Sequence, residues 1–141
     1  MTTGGTDLTS LFATQMKELG LEQPVYSVTI DQTRIDESKG ATNGWEYLSS
    51  FTPSEAFAQR YLEKYGTPVH IGADSAYDAV MMLSQAIEET QSTSPEVIQE
   101  YLNKLETFSG VSGHLLADGQ GGFTKNYKVM RVEGGTPVEI R

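Results

Sequence analysis

Apolar residues recur at the three- and four-residue spacing of amphipathic α-helices in four segments of the chain. These segments are residues 6–21, 52–66, 72–90 and 94–107. Apolar and polar residues instead alternate in two shorter segments, residues 24–30 and 127–132, and this period of two is typical of β-strands. Residues 31–51 are polar and then aromatic, and their pattern predicts no single element. The sequence therefore predicts an α/β fold.

Two adjacent apolar stripes distinguish the helix predicted over residues 72–90 from the other helices. The two stripes consist of Tyr77, Val80, Met81, Ser84 and Ile87, and of Ala76, Ala79, Leu83 and Ala86. A surface helix of a small domain normally carries a single apolar stripe about 100° wide. The second stripe therefore needs other residues to cover it, and a chain of 141 residues has few that are not already needed elsewhere in the fold.

The first predicted helix and the strand after it have the order of the second half of a βαβ unit. Thr6 or Asp7 is placed to cap the helix, and Gly20 is placed to end it. Before the helix stands only "TTGG", which resembles a loop that leaves a strand. We therefore expect the sequence to be a piece of a longer protein whose first strand lies upstream.

Two later helices carry recognisable start signals. Thr52 is predicted to cap the second helix, with Pro53 at its first position and Glu55 completing a capping box. Ser94 and Pro95 predict the start of the last helix in the same way. Glycines punctuate the rest of the chain, and "ADGQGG" and "EGG" predict turns.

Composition and charge narrow the class of protein. The hydrophobic content of 38% and the charged content of 21% are those of a globular chain. The net charge of −9 leaves no basic patch that would neutralise phosphates, so a nucleic-acid partner is not expected. The chain has no cysteine, which excludes disulfides and thiolate chemistry.

The sequence contains no recognisable catalytic constellation. His70 and His114 lie far apart without metal-ligand spacing, and "TTGGT" lacks the lysine of a phosphate-binding loop. No nucleophile elbow is present, and "DGQGG" lacks the further acidic ligands of a calcium loop. We therefore expect no enzymatic activity, no cofactor and no metal ion.

Three segments in order carry a resemblance to a known family. They are "RYLEKYGTPV", "GADSAYDAV" and "FSGVSGHLLADGQGG". Together with "MKELGLEQPV" they resemble the C-terminal region of type I periplasmic binding proteins, the receptors for branched-chain amino acids and amides. The resemblance covers essentially the whole chain, which would correspond to less than half of the family's usual length. It implies an incomplete two-lobe fold.

The resemblance also implies how the chain is divided. Residues 1–70 would form a portion of the second ligand-binding lobe, and residues 71–113 would be helices of the first lobe. Residues 114–141 would return to the second lobe as a strand and hairpin. The two-sided apolar helix would then be covered partly by a sheet of the first lobe that is encoded upstream.

Candidate ligand-binding residues follow from the rule that solutes bind at the carboxyl ends of strands. Thr2, Thr3 and Gly4 would follow the upstream strand, and Thr29 and Asp31 follow the strand at residues 24–30. Amino-acid-binding relatives would carry a carboxylate near Thr29, so the threonine there weakens the expectation of an α-amino-acid ligand. By resemblance, Tyr77 would line the cleft. Four of these residues also have a structural alternative: Thr2 and Thr3 as a frayed terminus, Asp31 as a turn former and Tyr77 as a core residue.

The resemblance implies a non-enzymatic, extracytoplasmic solute receptor, periplasmic or at the cell surface, that delivers a small molecule to an ABC transporter permease. A ligand-sensing regulatory domain of the same fold is the alternative, and a small enzyme is a third. The implied partners are the solute, the permease and the missing N-terminal part of the parent chain. We expect the isolated chain to bind solute poorly and to self-associate through its uncovered surfaces.

Overall fold

Helices and strands fill most of the chain that the computed structural model describes, residues 7–51 and 53–141. The helices are α1 (Asp7–Glu18), α2 (Gln32–Glu37), α3 (Glu55–Tyr65), α4 (Ala73–Thr90) and α5 (Pro95–Lys104). The strands are β1 (Tyr26–Val28), β2 (Glu46–Ser49), β3 (Thr107–Gly110), β4 (Gly113–Ala117), β5 (Phe123–Thr124), β6 (Lys128–Glu133) and β7 (Thr136–Glu139).

These elements form two compact units. The first unit extends to Ser50 and resumes at Tyr127, whereas the second unit runs from Phe51 to Asn126. The predicted lobe boundaries at residues 70/71 and 113/114 differ from these unit boundaries, because α3 groups with the later helices. The assignment of segments to the lobes of a complete receptor stays a prediction.

The first unit is built on a four-stranded sheet in the order β1-β2-β6-β7. β1 and β2 are parallel and are joined through α2, whereas β6 is antiparallel to both β2 and β7. Gly134 and Gly135 have φ angles of 59° and 83°, the left-handed conformation that a tight hairpin between β6 and β7 requires. The predicted strand at residues 24–30 and the closing hairpin are thus confirmed, and β2 is a strand that the sequence pattern did not resolve.

Both helices of the first unit cover the same face of this sheet. Ala13 of α1 and Ile35 of α2 share one core with Trp45, Tyr47 and Val132. All five side chains are buried, and the cluster holds the sheet against the two helices.

The opposite face of the sheet is exposed and combines an apolar row with charged, ion-paired side chains. Residues paired in register project to the same face, so Val28, Leu48 and Val129 form one row across three strands. Tyr26 and Val28 are 76% and 66% exposed, and Leu48 is 47% exposed. An exposed apolar row of this kind is typical of a surface that another layer or partner covers.

The second unit combines three helices with an antiparallel sheet in the order β3-β4-β5. Helix α3 starts later than predicted, because Ser54 is its N-cap and its hydroxyl accepts from the Phe57 N–H. The prediction that Pro53 opens the helix is therefore wrong, and the predicted cap Thr52 lies outside the described residues. Ser94 and Pro95 begin α5 as predicted, although the Ser94 hydroxyl donates to Glu96 instead of capping.

Helix α4 confirms the predicted pattern and leaves both of its apolar stripes largely exposed. Val80 is 64% exposed, and Leu83 is 46% exposed. Tyr77, Met81 and Ile87 are 42%, 42% and 41% exposed. Ala86 is the one apolar residue of this helix that is buried. The residues that give α4 its apolar character therefore contribute little to the core of the second unit.

Buried carboxylates attach α4 to the second unit instead. The two oxygens of Asp78 accept from the backbone N–H groups of Val111 and Ser112, each at 2.8 Å. A Cβ atom at Gly110 would lie 2.3 Å from the Asp78 carboxylate, so only glycine permits this approach. Asp74, which is fully buried, forms an ion pair with Lys125 at 3.4 Å.

We predict that Asp78→Ala lowers the free energy of unfolding by about 3 kcal/mol, because two charge-assisted hydrogen bonds to the buried turn between β3 and β4 are lost. Gly110→Ala should also destabilise the fold, by collision with the same carboxylate. Denaturant unfolding measures both effects. Glu89→Ala, an exposed substitution on the same helix, is the control, and equal stability of Asp78→Ala and Glu89→Ala would contradict the assignment.

Candidate functional site

The carboxyl ends of the two parallel strands lie side by side in the first unit. Val28 and Leu48 are in register at the end of β1 and β2, and the Thr29 N–H donates to the Leu48 carbonyl at 2.8 Å. This hydrogen bond extends the parallel pairing by one residue. The two predicted ligand residues Thr29 and Asp31 therefore leave the sheet at the edge where open α/β folds bind small molecules.

Thr29 has an unusual backbone conformation. Its φ angle is +40°, a value that β-branched residues rarely adopt, because the side chain crowds the backbone there. Such a conformation costs about 1–3 kcal/mol and is found most often at sites where function requires a specific chain direction. The conformation turns the chain away from the sheet directly before Ile30, which is buried.

Asp31 has a structural role that differs from the turn former named as its alternative in the sequence analysis. It is the N-cap of α2, and its Oδ1 accepts from the Arg34 N–H at 2.9 Å. This hydrogen bond occupies one carboxylate oxygen, and the side chain remains partly exposed. The pKa of the Tyr47 phenol is raised above its ordinary value of 10.0. The main cause is burial of the phenol, and the negative charge of Asp31 is the second cause.

Tyr77 lies in the second unit and belongs to a cluster of aromatic rings. Its ring centroid is 5.3 Å from that of Phe57, and Phe57 is 6.0 Å from Tyr61. The cluster borders a shallow pocket of about 320 Å³ between α3 and α4, whose rim carries Arg60 and Lys64. Tyr77 is 42% exposed, so its ring both packs and offers surface.

The structure thus brings Thr29 and Asp31 into one loop and places Tyr77 in the other unit. The remaining predicted residues Thr2, Thr3 and Gly4 lie outside the described residues. A role in solute binding therefore stays a prediction for all six residues.

Other candidate chemistry has structural explanations in the second unit. The Asp118 carboxylate accepts from the N–H groups of Gln120 and Gly122 at 2.7 and 2.9 Å, which confirms the predicted turn and lowers the pKa of Asp118. The Nδ1 of His114 lies 3.0 Å from the Ser109 hydroxyl. Across residues 7–51 and 53–141, no group of three potential ligand side chains is arranged to hold a metal ion.

The sequence analysis missed the buried carboxylates Asp74 and Asp78. The available signal was their spacing of four residues at the start of a helix that is apolar over residues 79–83, since this spacing places both on one side of the helix. Charged residues buried in this way are rare unless they are paired or hydrogen-bonded. In the part of the chain that is described, no helix is long and apolar enough to cross a membrane.

The sequence profile of one family extends over almost the whole chain. The family is described as "Periplasmic binding protein", and residues 1–136 match it. The chain belongs to the periplasmic binding protein family. This match confirms the resemblance found in the sequence, and no match was found among curated proteins.

Solved structures of periplasmic binding proteins agree with this membership. A leucine-binding protein of Thermotoga maritima matches 98% of the chain with a TM-score of 0.83 and 26% identity. A branched-chain amino acid binding protein of Streptococcus pneumoniae, solved with isoleucine, matches 97% with a TM-score of 0.80 and 19% identity. A solute-binding protein of R. palustris, solved with benzoate, matches 99% with a TM-score of 0.79 and 15% identity.

The chain spans about two fifths of the length of these proteins, with coverages of 42%, 43% and 41%. The fold class predicted from the sequence, part of a type I periplasmic-binding-protein fold, is therefore confirmed. The family consists of solute-binding proteins, and its members bind chemically different ligands on one fold, as the isoleucine and benzoate complexes illustrate.

We predict that stability falls at alkaline pH through Tyr47. Because the pKa of Tyr47 is raised in the folded protein, its neutral phenol contributes to the free energy of unfolding. This contribution is complete below about pH 10 and is lost as the pH rises through the folded-state pKa. Urea unfolding between neutral and alkaline pH should show a smaller alkaline loss in Tyr47→Phe than in the unchanged chain. Tyr127→Phe, at a position that is 69% exposed, is the control and should not reduce the loss.

Proposed function

We propose that this chain is the ligand-binding, C-terminal part of an extracytoplasmic receptor that delivers a small solute, such as an amino acid or amide, to an ABC transporter permease. The observation that carries the proposal is the family match across residues 1–136. The likeness to a leucine-binding protein at 26% identity supports an amino-acid-like solute. The periplasm or the cell surface is the corresponding location.

Thr29 and Asp31 are the proposed solute contacts in the first unit. Their support is the position at the carboxyl edge of a parallel strand pair, together with the strained backbone of Thr29. Asp31 has a second carboxylate oxygen beyond the one that caps α2, and that oxygen could accept from a cationic or amide group of the solute. Tyr77 is the proposed contact in the second unit, since its ring is exposed beside an apolar pocket. Thr2, Thr3 and Gly4 complete the proposed set.

We predict that a receptor of full family length containing this segment binds a branched-chain amino acid or an amide, without turnover. Asp31→Asn is the decisive variant, because asparagine also caps helices and the substitution removes the charge alone. Calorimetric titration should show roughly tenfold weaker binding of a cationic or ammonium-bearing solute, with an unchanged melting temperature in the absence of solute.

Two controls accompany this titration. Asp36→Asn removes an exposed carboxylate from the same helix and should leave binding unchanged. The chain of 141 residues should bind at least about a hundredfold more weakly than the receptor of family length, since it supplies only part of the solute's surroundings. Chemical conversion of the solute, or equally tight binding by the short chain, would contradict the proposal.

Self-association of the isolated chain is the second consequence that we propose. The exposed stripes of α4 in the second unit and the exposed apolar row on the sheet of the first unit are each apolar surface, and such surfaces mark interaction sites. The net charge of −9 opposes contact between copies, so association should strengthen as salt screens the charge.

We predict that analytical ultracentrifugation detects concentration-dependent association that increases with salt. Val80→Lys should shift the equilibrium toward monomer, because it places a charge at the most exposed large apolar residue of α4. Thr93→Lys makes the same change of charge at an exposed position after the helix and should leave the association equilibrium unchanged. A monomer at all concentrations and salt levels would rule out this consequence.

A further inference from the structure

A pocket in the second unit combines aromatic walls with two cationic side chains. It lies between α3 and the start of α4 and has a volume of about 320 Å³. Four aromatic side chains line it, namely Phe57, Tyr61, Tyr65 and Tyr77. Two basic side chains also line it, and among the described residues no acidic side chain does. Because acidic residues outnumber basic ones by 19 to 10 in this chain, a lining of this charge indicates an anionic ligand.

The four rings form a continuous aromatic wall. The Phe57 ring centroid lies 5.3 Å from that of Tyr77 and 6.0 Å from that of Tyr61, and Tyr61 is 4.6 Å from Tyr65. Phe57 is buried, whereas Tyr65 and Tyr77 are 57% and 42% exposed. Aromatic rings pack against one another at separations of this size in tilted or offset arrangements. The exposed rings can therefore receive one further ring from a ligand in the same way.

The two basic side chains have no carboxylate partner. Arg60 and Lys64 lie four residues apart on α3, so they are on one side of the helix. The Arg60 Nε donates to the Ala56 carbonyl at 3.2 Å, and within the described residues neither side chain forms an ion pair. Glu63 lies between them in sequence, but its carboxylate accepts from the Gln59 amide at 2.9 Å. A ligand carboxylate at the pocket would therefore not compete with a carboxylate of the chain.

We propose that this pocket binds a small aromatic carboxylate, with its carboxylate held by Arg60 and Lys64 and its ring packed against Tyr61 and Tyr77. A guanidinium group matches a carboxylate through two parallel N–H bonds, and both bonds are strengthened by charge. A volume of about 320 Å³ is near the lower end for ligand pockets, so a ligand with a single ring fits it best. Only Tyr77 is shared with the proposed solute contacts, and the loop after β1 contributes no residue. The inference therefore goes beyond the proposed function.

Titration of the isotope-labelled chain with benzoate, followed by nuclear magnetic resonance, tests the proposal. Benzoate should shift the amide signals of α3 and the start of α4 with a Kd of about 1 mM, a value within reach of a ligand with a single ring. Benzyl alcohol has a similar ring without the charge and should bind about fivefold more weakly. The double substitution Arg60→Gln and Lys64→Gln should weaken benzoate binding to a similar extent. Both positions are exposed, so the melting temperature should not change.

Two further variants are controls. Lys39→Gln removes a positive charge from an exposed position in the first unit and should leave benzoate binding unchanged. Asp31→Asn should also leave it unchanged, because Asp31 does not line this pocket. A failure of the proposed solute contacts and a failure of this pocket can therefore be distinguished.

Four outcomes would overturn the proposal. They are the absence of benzoate-induced shifts on α3 and α4, equal affinity for benzoate and benzyl alcohol, equal weakening by Lys39→Gln, and concentration-dependent shifts of the α3 signals without benzoate. The last would show that a second copy fills the pocket. If the double variant loses its helical signal, the comparison of benzoate with benzyl alcohol in the unchanged chain decides instead: tighter binding of benzoate, with shifts confined to α3 and α4, supports the proposal, and any other result overturns it.

Discussion

The burial of apolar surface is the constraint on which the rest of this structure depends. The first unit satisfies it on one side of its sheet, where α1 and α2 enclose Tyr47 and Val132, and leaves Val28 and Leu48 exposed on the other. The second unit holds α4 through buried carboxylates while Val80 stays largely exposed. Surfaces of this composition are stable when another layer covers them. The solved family members that the chain matches are more than twice as long. Under the proposed function, the rest of the receptor would supply that layer.

The helices could be predicted from the sequence because periodicity and end signals agree in each of them. Gly66 ends α3 in the left-handed conformation, as its place before a proline indicates. The beginning of α3 was predicted wrongly because Thr52 and Ser54 are both good caps and the sequence does not rank them. β2 was missed because a four-residue strand between aromatic and hydroxyl residues has too few positions to establish a period.

Much less of the candidate site could be predicted. Sequence order places Thr29 and Asp31 after a strand, and the structure adds that Thr29 has a positive φ and that Asp31 caps a helix. The positive φ of Thr29 could not be predicted from its residue type, because β-branched residues rarely adopt it. Asp is a common cap, but residues 31–51 show no pattern that predicts the short helix α2. The partners of Asp78 could not be predicted, since they are backbone N–H groups 33 and 34 residues away, although its spacing from Asp74 was a signal that both lie on one side of the helix. Long-range contacts to the backbone leave no pattern in a single sequence.

Hydroxyl-radical footprinting tests most directly whether the exposed apolar faces are interfaces of a larger receptor. The labelling of Leu48, Val80 and Met81 is compared between this chain and a receptor of family length that contains it. All three side chains should react readily in this chain at low concentration and several-fold less in the longer protein, while exposed Tyr127 should react equally in both. Equal labelling of the three side chains in the two proteins would contradict the account.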